Sequence, residues 1–186
     1  NGVYRGTIPA SGCPTLTLMA NGWPAGTGNG TSGSTNVGRI RLASSRGNGS
    51  NSLTIYAQVH DSGSNGALGT WVTTNQAATW TNLSKTGNSN YTDCAANATN
   101  ENQDWYDLFI LADPGNDKTL YIGRTSLYKA TVDGTYSSAS LQNLGNVYST
   151  SCAGYGSLHP DQHGAAWVRG TGSTTLFVLG NDGGVY

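Results

Sequence analysis

Charge is scarce in this chain. Of 186 residues, 9 are Lys or Arg and 10 are Asp or Glu, the formal net charge is -1, and Glu101 is the sole glutamate. Gripping a phosphate backbone takes a basic stripe, and its absence excludes nucleic acid as a partner. No apolar run approaches the roughly 20 residues that cross a bilayer as a helix, so no membrane span is expected. The chain opens at Asn1 without Met or a signal-like apolar segment, and reads as a mature or excised segment. Cys13, Cys94 and Cys152 show no CxxC spacing, which argues against a zinc cage or a redox pair. P-loop, GxSxG, HExxH and dinucleotide fingerprints are all missing. The stretch "GTGNGTSGSTNVG", Gly26 to Gly38, has neither the Lys nor the following helix that a phosphate cradle needs, and reads as a long loop.

What fills the chain instead is Gly, 27 of it, with Ser, Thr and Asn at most polar positions. These residues make turns and leave few good helix formers for an exposed face, so the expected class is all-β. Sequons at Asn29, Asn48, Asn82, Asn90 and Asn97, together with low charge, point to a secreted, glycosylated protein. In that setting Cys94 and Cys152 are the candidate disulfide, with Cys13 left over.

A repeat runs along the sequence. "SLTIYAQVH" from Ser52, "KTLYIGRTSLYKAT" from Lys118 and "TTLFVLGNDGGVY" from Thr174 align, each an alternating β-branched and aromatic strand. Upstream of each lies another apolar strand: "GRIRLAS", "WYDLFILAD" and "QHGAAWVRG". Tyr56, Tyr121 and Phe177 anchor the copies at offsets of 65 and 56 residues, spacings that suit four-stranded propeller blades. A β-sandwich is the competing architecture, but it does not require strand motifs to recur in order. The expected organisation is one propeller segment of about three antiparallel blades: an N-terminal strand and loop over 1–37, blades over 38–104 and 105–161, and a partial third over 162–186. Such a segment carries open sheet edges, which further blades or another protein chain would cover.

"GTWVTTNQAATWTNL", Gly69 to Leu83, resembles a degenerate Asp-box, the Ser-x-Asp-x-Gly-x-Thr-Trp hairpin of sialidase-type, sortilin-type and xyloglucanase-type propellers. Thr79 and Trp80 match, Thr73 and Asn75 are conservative departures, and Ala77 stands where the family has glycine. "KATVDGTYSS" is a shorter second candidate. "GRIRLA", "WYDLFILADPGNDKTLYIG" and "HPDQHGAAWVRGTGSTTLFVLGNDGGVY" are similar, in that order, to segments of secreted Asp-box propellers. The resemblance implies a carbohydrate-associated extracellular protein. In xyloglucanase-like relatives the "GNDGGVY" segment carries a catalytic aspartate, so the resemblance points to Asp182. A sialidase is disfavoured, because its site needs a glutamate and an arginine cluster.

Candidate chemistry gathers near the third copy. His163 and Asp107 each lie 14 residues before their anchor and Arg41 lies 15 before its own, so the three are expected near one channel mouth as ligand contacts. Asp182, Asp107 and Asp161 are the carboxylates available for glycoside hydrolysis, which needs two flanking the sugar bond. His159, Asp161 and His163 would share one face of a regular strand and could hold a divalent metal, although Pro160 interrupts that strand. The plainer reading is that Asp161 and His163 hydrogen-bond loop backbone as a clasp between blades. No cofactor other than such a metal is implied. Among the aromatics, Trp23 in "NGWPAG" is the expected exposed stacking residue for a sugar, while Trp105 and Trp167 read as packing between blades. Two functions follow: a carbohydrate-associated propeller, either a xyloglucanase-like hydrolase or an inactive relative, and a non-catalytic assembly propeller of an extracellular complex.

Overall fold

A computed structural model describes residues 2–24, 36–45, 53–91, 102–145, 147, 157–169 and 175–186. Cys94, Cys152, Asn29, Asn48 and Asn97 lie outside them. The chain is all-β. Strands β3 (Val37–Ser45), β4 (Thr54–Asp61), β5 (Ala67–Thr73) and β6 (Thr81–Leu83) form one four-stranded antiparallel meander. A second comprises β7 (Phe109–Ala112), β8 (Thr119–Gly123), β9 (Leu127–Val132) and β10 (Ala139–Asn143). A three-stranded sheet follows, from β11 (Gln162–Arg169), β12 (Thr175–Asn181) and the short β13 (Gly184–Val185). Ahead of them, β1 (Tyr4–Arg5) pairs with β2 (Thr17–Leu18).

The sheets stack face to face, and side-chain alternation decides which residues meet. Val3 and Trp23 from the N-terminal segment pack with Ala57, Val59 and Trp71 on one face of the first sheet. Tyr56, Val72 and Leu83 on its other face meet Ile110, Leu120 and Ile122 of the second. The second sheet's remaining face, through Phe109 and Leu127, packs on Leu179 of the third. The first strands of the three sheets lie side by side, β3 against β7 and β7 against β11. Side chains cross each gap to bond backbone: Tyr56 donates its hydroxyl to Asp117 O at 2.6 Å, and Trp167 donates Nε1–H to Ala112 O at 2.9 Å.

The third repeat anchor needs correction. Tyr56 and Tyr121 each face the following sheet, but Phe177 faces back, its ring 4.9 Å from that of Tyr121. "TTLFVLGN" carries one more residue before its glycine than "KTLYIG", and a one-residue slip turns every side chain to the opposite face.

Third and fourth strands are joined by polar hairpins at equivalent places in the two full sheets. Between β5 and β6, Asn75 Oδ1 accepts the Thr79 N–H at 3.0 Å and the Thr73 hydroxyl at 2.9 Å, while Thr73 Oγ1 accepts the Ala77 N–H at 3.0 Å. Ala77 has φ +66°, the left-handed region that glycine occupies without strain. Between β9 and β10, Asp133 accepts the N–H groups of Thr135 and Ser137, both at 2.9 Å, and the hydroxyls of Ser137 and Ser138 at 2.7 and 2.8 Å. Those donors, Ser137 foremost, hold its carboxyl well below the usual carboxylate range.

Candidate functional site

The turn over 102–108 enters β7, and its geometry fixes the site. Tyr106 N–H and Asp107 N–H both bond Gln103 O, at 2.7 and 2.8 Å, and Arg39 from β3 reaches over to donate to the carbonyls of Trp105 and Tyr106 at 3.2 and 2.5 Å. This turns Asp107 inward, fully buried, while Trp105 and Tyr106 stay exposed. Neither Asp107 oxygen accepts a hydrogen bond from an ordinary donor. Facing it are His163, with Nδ1 3.5 Å from Oδ1, and the carboxyl of Asp161.

Burial first, then the adjoining Asp161 and the charge of Asp182, push the Asp107 carboxyl up to about 8. His163 lies between Asp107 and Asp182, its Nε2 meeting Asp182 Oδ1 in a very short contact. The imidazole and Asp182 are about one-third exposed, at 35% and 39%, so this end of the cluster is open to a ligand. Asp182 also raises the phenol of Tyr106, whose ring meets the His163 ring edge-on at 4.9 Å.

Of the residues expected at the site, Asp107 and Asp182 lie against His163 and Asp161 adjoins Asp107, while the rest lie elsewhere. Arg41 does not join them: its Nε–H is taken by Leu108 O at 3.0 Å, tying β3 to β7. Trp23 is not an exposed stacking residue; it is 8% exposed and packs against Trp71 and Trp80 with centroids 5.9 and 5.0 Å away. Nor do His159, Asp161 and His163 share a strand face. β11 begins only at Gln162, Asp161 has φ +68°, and the register shifts between Gln162 and Gly164. His159 turns its Nδ1 to Pro160 O at 3.1 Å, and among the described residues no group of three His, Cys, Asp or Glu side chains is arranged to hold a metal ion.

The clasp in "HPDQH" is made by a residue the sequence reading passed over. Gln162 is fully buried and donates to His159 O at 2.6 Å and Thr125 O at 3.1 Å, while its Oε1 accepts from Asn181 at 3.2 Å. A glutamine between two candidate ligands, in a loop whose carbonyls need donors, was the available signal. Trp105 was also misplaced, since it sits in a turn, as the polar run "NENQD" ahead of it indicates. Asp104 and Arg124 form a buried ion pair at 2.7 Å, with the guanidinium 4.3 Å from the Tyr91 ring centroid. Elsewhere, Cys13 is an exposed free thiol, and Asn82 and Asn90 are exposed. No family model, no curated protein and no solved structure matches the chain.

Proposed function

We propose that the chain is a segment of a secreted, Asp-box-type β-propeller that binds a glycan where His163 and Asp182 reach solvent. The observation that carries this is the open His163–Asp182 pair, set over the buried Asp107 carboxyl where the first strands of successive sheets come together. Three features support the propeller: two meanders of four strands with a third of three, first strands side by side, and polar hairpins recurring between third and fourth strands. Such channel mouths gather polar groups from several blades.

The arrangement supports binding in preference to hydrolysis. A glycosidase places two carboxyl groups on either side of the sugar bond, roughly 5 to 9.5 Å apart with the space between them free. Here Asp107 is fully buried and the His163 ring occupies the space between it and Asp182. The test is a glycan panel against the wild-type chain and a His163→Ala/Asp182→Ala variant. Binding of at least one glycan, weakened about tenfold or more in the variant, is the expected result; an empty panel, or a variant that binds unchanged, contradicts the reading.

A second reading, assembly, has its own observation. The outer face of the third sheet leaves Val168, Leu176 and Val185 at 44%, 50% and 77% exposure, an apolar surface of the kind that marks contact with another polypeptide.

A further inference from the structure

We infer that Trp105 and Tyr106 form a stacking platform for an uncharged pyranose ring, whose hydroxyls the exposed Asp182 carboxylate accepts beside the His163 ring; this deepens the glycan-binding reading and rests on it. Trp105 and Tyr106 are 57% and 45% exposed, whereas Trp23, Trp71 and Trp80 are all buried. The two rings lie 5.6 Å apart, tilted by 41°, and the Tyr106 ring stands edge-on to His163, so apolar faces and hydrogen-bonding groups adjoin. A pyranose presents that pairing in reverse, with C–H groups on its faces and hydroxyls at its rim.

The backbone that carries the platform is held in place. Arg39 holds the carbonyls of both aromatic residues from β3, which lowers the ordering cost of binding. Charge selects the ligand class. Asp182, foremost, sets a negative field at the Tyr106 phenol, and the neighbouring arginines are committed elsewhere: Arg39 to these carbonyls, Arg41 to Leu108 O and Arg124 to Asp104. A uronic or sialic acid carboxylate would meet like charge and no guanidinium fork.

The experiment uses the full chain with cellohexaose as the neutral probe and hexagalacturonate as the acidic one, read by tryptophan emission and calorimetry. Cellohexaose is expected to blue-shift the emission, because the ligand covers exposed Trp105. Trp105→Ala should weaken binding about tenfold or more, and Trp105→Phe should restore most of it. Unchanged affinity in Trp105→Ala overturns the platform and leaves the glycan reading standing. Tighter binding of hexagalacturonate than of cellohexaose overturns the ligand class. Failure of the wild-type chain to bind either probe or any member of the glycan panel overturns both.

Discussion

At the scale of single residues, Asp107 is the carboxyl group that burial shifts far above its ordinary range. Its carboxyl rises from 3.8 to about 8 in the folded chain, so the fold takes up a proton that the unfolded chain releases above the ordinary value. The contribution is fully present below about pH 4 and is lost as pH rises towards 8. His60, lowered mainly by its own burial, acts in the opposite sense, losing stability as pH falls through the range below 6.5. Comparing Asp107→Asn with wild type cancels the His60 term. The amide does not ionise, so the variant's stability relative to wild type should climb between about pH 4 and pH 8 in denaturant titrations; a constant difference would contradict the assignment. Gly22 is a constraint of another kind. Its φ is +74° and a Cβ would lie 2.0 Å from Trp80 O, so Gly22→Ala should cost at least about 2 kcal/mol, read as a fall in denaturation midpoint. The proximity of Asp107 and His163 was legible because both sit at the same distance ahead of their repeat anchors, whereas Asp182 was reached only through the resemblance of "GNDGGVY". The exposure of Trp23 was not legible, because burial by two other tryptophans is a tertiary fact that loop composition does not encode.

At the scale of elements, the hairpins between third and fourth strands carry the repeat more faithfully than the strands do. Thr73, Asn75 and Thr79 reproduce one bonding pattern and Asp133 with its serines another, both at the same connection. Asn75→Ala removes the bonds to Thr79 and Thr73 at an exposed loop and should destabilise by about 1 to 2 kcal/mol, measured by chemical denaturation. A change below a few tenths of a kcal/mol would mean that the hairpin forms without them. Strand existence and order were legible from alternation and turn residues. Register was not: a single extra residue in β12 reverses the facing of Phe177, and only packing against Tyr121 decides which face is buried. The same limit defeated the shared face of His159, Asp161 and His163, where a left-handed residue and a bulge replace regular alternation.

At the scale of the whole molecule, three sheets stack so that each gap is filled from both sides, while the outer face of the third stays apolar and open. If that face serves assembly, Val168→Lys with Leu176→Lys should abolish concentration-dependent association in sedimentation without altering the near-ultraviolet circular dichroism. Equal association of variant and wild type would remove the face from consideration. The all-β class followed from composition alone, and the meander order followed from the repeat; the site's open side followed from neither, because it depends on a turn held from a neighbouring sheet by Arg39. Most direct for the proposed glycan site is a heteronuclear magnetic resonance titration of the full chain with cellohexaose. The account predicts shifts concentrated at the Trp105 indole N–H, the Tyr106 amide and the His163 ring; an unchanged spectrum, or shifts confined to residues remote from that turn, would contradict it.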